Sequence, residues 1–175
     1  MRRLFDYRTV PREKRTLILA VMLFGSILSF FLISRFVLTV GVVEGASMAP
    51  TLQDGDRYLI NRLVYRFHDP RPGDMVEFRM IRADDYSVKR IIALPGDVVQ
   101  IKQGHVYVNG RMVAEPYLRP GVITEGKAIG AEAFKLPEHM YFVLGDNRAV
   151  SMDSRVFGGV NKNRFVGRLW MKLGD

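Results

Sequence analysis

Tyr86-Ser-Val-Lys-Arg-Ile-Ile-Ala-Leu94 sets two cations inside a run that is otherwise mostly aliphatic, and Pro95-Gly96-Asp97 closes it. Length, β-branched content and the turn that follows read as a strand. Strand alternation puts Ser87, Lys89 and Ile91 on one face, and Val88, Arg90 and Ile92 on the other. Cations are rarely buried without a partner, so this is a costly place for two of them. Arginine does not lose its proton in a protein, whereas a buried lysine does. Bringing a lysine from about 10.4 to about 7 takes roughly 4.6 kcal/mol of differential desolvation, which a strand face and a bound apolar substrate can supply. The competing reading is a lysine snorkelling from a sheet edge.

Moving outward, the chain keeps the character of this segment. Phe36–Val43, Asp56–Val64, Asp74–Met80, Val98–Lys102, His105–Val108, Arg111–Ala114, Met140–Leu144 and Arg164–Leu173 also read as strands. In HVYVNGRMV the pair Asn109-Gly110 between alternating runs marks a hairpin, because a type I′ turn needs positive φ at both central residues. Pro70-Arg71-Pro72-Gly73-Asp74 and Leu144-Gly145-Asp146 bound strands in the same manner. Residues 116–139, with Pro116, Pro120, Gly121, Gly126, Gly130 and Pro137, read as an irregular excursion. A mostly β domain over residues 36–175 is expected, antiparallel and gathered into several small coiled sheets, with about 97–140 forming a ribbon and loop excursion within it.

The front of the chain is different. Thr16–Ser34 (TLILAVMLFGSILSFFLIS) contains no charge, and a helix over Leu17–Ser34 reaches about 27 Å against a bilayer core of about 30 Å. Arg2, Arg3, Arg8, Arg12, Lys14 and Arg15 precede it, which by the positive-inside bias keeps the N-terminus cytoplasmic. A buried core helix and a cleaved secretion signal are the alternatives. The run exceeds the usual signal core, and Arg35-Phe36-Val37-Leu38 follows it with no small-x-small cleavage site. The expected organisation is a basic cytoplasmic tail (1–15), a single-pass anchor (16–35) and an extracytoplasmic domain (36–175). The first 35 residues hold seven Lys/Arg against two acids, and so carry five of the eight net positive charges. What remains is ordinary for a soluble domain, and one Trp among scattered basic residues is a poor platform for nucleic acid. With no cysteine, thiolate nucleophiles, disulfides and zinc–cysteine sites are excluded.

Between the anchor and the strands lies EGASMAPTLQDGD (Glu44–Asp56), with Ser47 among small residues. Gly45, Ala46 and Ala49 clear space around the hydroxyl, and Pro50 drives Ala49 out of the helical region. A turn serine ahead of a proline is the plain alternative. The string nearly fits the G-x-S-x-G elbow, but that elbow must open a helix in a βα sheet; S-x-x-K fails because position 50 is Pro. A serine nucleophile needs a base. His68 sits in a turn, His105 starts a strand and His139 follows Pro137-Glu138 in a loop, so a Ser-His-Asp triad is disfavoured and Lys89 is the candidate base.

EGASMAPTL, GDRYLINRL, VKRIIALPGD and GDNRAVSMDSR (Gly145–Arg155), in that order behind an N-terminal anchor, resemble the type I signal peptidase family over most of the soluble region. The resemblance implies a membrane-bound serine endopeptidase that removes signal peptides from exported preproteins through a Ser/Lys dyad and an acyl-enzyme, with no metal or cofactor. Ser47 matches the family's nucleophile, Lys89 its general base, and Ser151 a serine whose hydroxyl orients the lysine amine. Asp153 and Arg155 match a structural ion pair beneath the site, and Asp146 and Asn147 the segment that holds the strands together.

Val42, Val43 and Val88 match the walls of shallow pockets for small residues before the cut, with Met48 at the site's margin. The Ser47 N–H is the first oxyanion donor expected; Gly45 stands where some relatives carry a hydroxyl, so its amide or a water is the second. Glu44 departs from a common proline, beside an edge that would take the substrate by β-addition. Phe36, Val37 and Leu38 are read either as a rim at the lipid interface or as core strand. A single anchor and a lysine base resemble the compact bacterial forms, acting as a monomer on preproteins at the bilayer. Two rivals remain: a membrane-tethered, non-enzymatic β domain that binds extended peptides, and a soluble self-cleaving Ser/Lys peptidase of the repressor type, against which the 16–34 segment argues.

Overall fold

In a computed structural model the described residues are 11–80 and 85–174. The tail residues Arg2, Arg3 and Arg8 therefore lie outside them. The chain divides into two compact units, Met1–Val37 and Leu38–Asp175.

The first unit contains α1 (Arg12–Phe36), 25 residues or about 37 Å of helix. Within its segment Arg12–Ile33 an 18-residue window has a mean hydropathy of 2.6, and Leu19, Phe24 and Phe30 are exposed. An apolar window with none of its residues buried is built for a non-aqueous surrounding. The helix runs on through Phe36, a residue that the sequence pattern assigns to the first strand. Nothing stops it there: Arg35 and Phe36 are adequate helix formers, and after Gly25 the next glycine comes only at position 41.

The second unit is all-antiparallel β. Its strands are β1 (Leu38–Val42), β2 (Arg57–Asn61), β3 (Met75–Arg79), β4 (Tyr86–Ala93), β5 (Val98–Lys102), β6 (His105–Val108), β7 (Arg111–Met112), β8 (Phe134–Lys135), β9 (Met140–Leu144), β10 (Val160–Asn161) and β11 (Phe165–Leu173). Two one-turn helices, α2 (Val64–Phe67) and α3 (Ser154–Phe157), interrupt them. A seven-stranded sheet runs β1-β2-β11-β3-β4-β9-β10, and a four-stranded ribbon runs β7-β6-β5-β8. The Asn109-Gly110 hairpin forms as its residues require, with φ of 52° and 79°.

Three apolar clusters hold the unit together. One, with Ile92, Val99, Val106, Phe142 and Leu144, packs the ribbon onto β4 and β9. A second, with Val76, Phe78, Ile91, Tyr141 and Val143, fills the other face of the central strands. The third, with Val43, Met48, Leu52, Tyr58, Ile60 and Leu169, lies under the loop after β1.

Register decides what happens at the centre. β4 pairs with β3 over Tyr86–Arg90, but on its other side β9 reaches only as far as Arg90, opposite Leu144. The Ser87–Lys89 backbone therefore has a strand on one side alone, and the chain leaving β9 as Gly145-Asp146-Asn147 turns off beside it.

Candidate active site

Ser47 sits on the loop between β1 and β2, and that loop is closed from within. Val43 N–H donates to Asp56 O at 2.8 Å, Gly55 N–H to Val43 O at 2.9 Å, and Leu52 N–H to Met48 O at 3.0 Å. Met48 and Leu52 are each 1% exposed, so the residues flanking the serine are pinned into the core. From the other side Asn147 N–H donates to Ser47 O at 3.0 Å and its Nδ2 to Ala46 O at 3.1 Å. Asn147 thereby fixes the peptide units on both sides of the Ser47 Cα.

Lys89 arrives from β4 and is 3% exposed. Its Nζ lies 2.9 Å from Ser47 Oγ, 2.8 Å from Ser87 Oγ and 2.9 Å from the Val88 carbonyl. Burial pushes the amine down to about 8, while the charges of Asp153 and Asp146 pull the other way. Those two carboxylates favour the ammonium form, and burial outweighs them. At pH 7 roughly one molecule in ten still holds Lys89 neutral. His68, His105 and His139 make no hydrogen bond to Ser47 or Lys89 among the described residues.

The carboxylates are themselves neutralised. Arg90 grips Asp146 through two bonds, Nε–Oδ1 at 2.9 Å and Nη2–Oδ2 at 2.6 Å, while Thr51 donates to the same carboxylate at 2.5 Å. The Arg90 guanidinium also lies 4.0 Å from the centre of the Tyr117 ring. Asp153 takes Arg155 Nε at 2.8 Å and Gly145 N–H at 3.1 Å. Arg148, fully buried, bonds Glu115, Thr124 and the Gly145 carbonyl, tying the excursion to the loop after β9. Each of these buried arginines and carboxylates thus has an opposite partner, as burial demands. Gly145 must be glycine, since a methyl group there would overlap Ser151 Oγ and the Ser47 carbonyl.

Several expected residues sit differently. The Ser151 hydroxyl is fully buried and has no hydrogen-bond partner among the described residues, so the lysine amine is held by Ser87 and not by Ser151. Met48 belongs to the core rather than the margin, and Val43 is 7% exposed in the same cluster. Val42, at 54% exposed, and the half-buried Val88 are the apolar surface the site offers. The Gly45 N–H is already given to Asp54 Oδ1 at 2.7 Å, which removes it as an oxyanion donor; Gly45 itself lies at φ 83°. No acceptor among the described residues takes the Ser47 N–H. Sequence reasoning passed over Ser87, Glu115 and Arg148. Only Ser87 left a signal, its shared strand face with Lys89.

A serine hydroxyl against a buried amine on an antiparallel β frame is an arrangement that can support serine-nucleophile chemistry without a histidine. The sequence model of the signal peptidase family, peptidase S26, matches residues 15–173. Signal peptidase I of Bacillus caldolyticus is 42% identical over 143 residues, covering 77% of this chain and 78% of that one. Probable signal peptidase I-2 of Synechocystis sp. is 37% identical over 165 residues, 91% of this chain and 71% of the relative. A crystal structure of a signal peptidase I from Enterococcus faecalis V583 is similar over 59% of this chain and 98% of that one, at 30% identity and a TM-score of 0.48. The chain belongs to the signal peptidase family, and with its N-terminal apolar helix it is a membrane-anchored peptidase.

Proposed function

We propose that this protein removes signal peptides from exported preproteins by a Ser47/Lys89 dyad. The observation that carries this reading is the 2.9 Å approach of Lys89 Nζ to Ser47 Oγ inside a buried site. Neutral Lys89 takes the hydroxyl proton as Ser47 Oγ attacks the scissile carbonyl. The oxyanion is met by the Ser47 N–H, the free donor at the nucleophile. Lys89 then returns the proton to the leaving amine, and the acyl-enzyme is released by a water that Lys89 activates in turn.

The substrate binds extended, with small residues before the cut. β1 is the terminal strand of its sheet and β4 is open along Ser87–Lys89, so two unpaired edges flank the serine and invite β-addition. Val42 and Val88 offer shallow apolar contact that a bulky side chain would overfill. Residues 1–15 are cytoplasmic, α1 crosses the bilayer once, and the β domain acts as a monomer on the extracytoplasmic face, where preproteins emerge. Asp146, Asn147, Asp153 and Arg155 hold the site's frame.

The test is cleavage of a preprotein by the full chain in detergent. Ser47→Ala and Lys89→Ala each abolish cleavage while the fold, followed by circular dichroism, is kept. Retained cleavage in either variant contradicts the dyad, and a wild-type protein that binds the preprotein without cutting it would establish the non-enzymatic rival.

A further inference from the structure

A neutral primary amine has two N–H donors and one lone pair, and Lys89 Nζ has three partners. The Val88 carbonyl only accepts, so one N–H goes there. Ser47 has to give its proton to the amine, so the lone pair faces Ser47. One N–H is left, and the remaining oxygen is that of Ser87, at 2.8 Å. We propose that Ser87 is a positioning residue whose hydroxyl oxygen accepts the second N–H of Lys89 and thereby aims the amine's lone pair at Ser47 Oγ. The proposal rests on the Ser47/Lys89 reading above.

Three observations support it. Ser87 is held rigidly, since β4 pairs it with Phe78 of β3, and its strand face is that of Lys89. The Ser151 hydroxyl, the other serine expected to do this, bonds nothing among the described residues. The third partner is a main-chain carbonyl, which can fix one N–H but leaves the amine free to rotate about that bond.

A pH signature follows. The charges acting on Lys89 are those of Asp146 and Asp153, each paired, with Arg90 and Arg155 respectively. Ser87 is a neutral acceptor inside that balanced set. It bonds the ammonium form more strongly than the neutral amine, because a hydrogen bond to a charged donor is the stronger one. Removing it therefore has two effects: the amine loses its aim, and its ammonium form loses more than its neutral form. Turnover falls on the alkaline plateau, while the acid limb of the pH profile moves to lower pH.

The experiment is steady-state cleavage of a preprotein by the full-length protein in detergent, from about pH 6 to 10. It compares wild type, Ser87→Ala, Ser87→Thr and Lys89→Ala. Expected for Ser87→Ala is a plateau kcat lower by roughly 10-fold or more, KM within about twofold, and an acid limb at lower pH; Ser87→Thr recovers most of both. The proposal is overturned if Ser87→Ala keeps the wild-type plateau and limb while Lys89→Ala is inactive. It is equally overturned if kcat falls with an unmoved limb and no recovery in Ser87→Thr, the mark of a packing defect. Cleavage by Lys89→Ala is the distinct result that removes the dyad itself.

Discussion

Lys89 is a cation the fold destabilises by design, because its charged form pushes against burial at 3% exposure and its neutral form does not. The linkage has a definite sign. The folded-state value, about 8, is below the ordinary 10.5, so between those pH values the unfolded chain binds more protons and stability rises with pH. Lys89→Met, which removes the buried cation, should be more stable than wild type at pH 6, by on the order of 1–3 kcal/mol after the lost hydrogen bonds. That advantage should shrink as pH climbs from about 8 to 10.5, read from urea midpoints. An advantage independent of pH would mean that the amine's charge is not under strain. Gly145 makes a second residue-scale point. Gly145→Ala should reduce cleavage at least 100-fold with little change in substrate binding, since the added methyl displaces the backbone of Ser47 and a displacement of about 1 Å is worth roughly that much. Wild-type kinetics in that variant would mean the loop after β9 tolerates a shift. Strand alternation puts Ser87 beside Lys89 in the bare sequence, but does not show that the amine curls back to it. The fate of Ser151 is not legible there at all, because a hydroxyl's partner depends on contacts that sequence spacing does not carry.

The strands are where sequence reading works best. Val98–Lys102, His105–Val108 and Met140–Leu144 occur with the predicted bounds, because alternation and turn residues dictate them locally. Phe134–Lys135 and Val160–Asn161 escape it: two-residue pairings have no period, and only their partners in β5 and β9 define them. Apart from Phe134–Lys135 the excursion over 116–139 is irregular as expected, yet Tyr117 and Thr124 within it, and Glu115 just before it, fasten it to the site through Arg90 and Arg148. An ion pair between residues 33 positions apart leaves no mark in the sequence. Glu115→Ala strands the buried Arg148 cation, and should destabilise the domain by about 3 kcal/mol. Glu115→Gln, which keeps one acceptor oxygen for the Arg148 guanidinium, should lose less. Equal and small losses in thermal unfolding would show that the excursion is not held by this pair.

At the scale of the whole molecule, the charge and the hydropathy are segregated. An apolar helix follows a basic front, and a β domain of modest charge carries the chemistry. This segregation is plain from composition, whereas the way the strands gather into one seven-stranded sheet and one ribbon depends on pairings distant in sequence. With the N-terminus inside, protease added to right-side-out vesicles should digest the β domain and leave a fragment of about 35 residues protected. Protection of the β domain from external protease would reverse the orientation.

The central claim is that Lys89 exchanges its proton near neutral pH beside Ser47, and the direct measurement is the titration of its amine. NMR of the full-length protein in detergent, with lysine labelled at Cε and the resonance assigned by Lys89→Arg, should show a midpoint near 8. A midpoint at the ordinary lysine value of about 10.4 would contradict the account, since the amine would then be an ammonium throughout the working range.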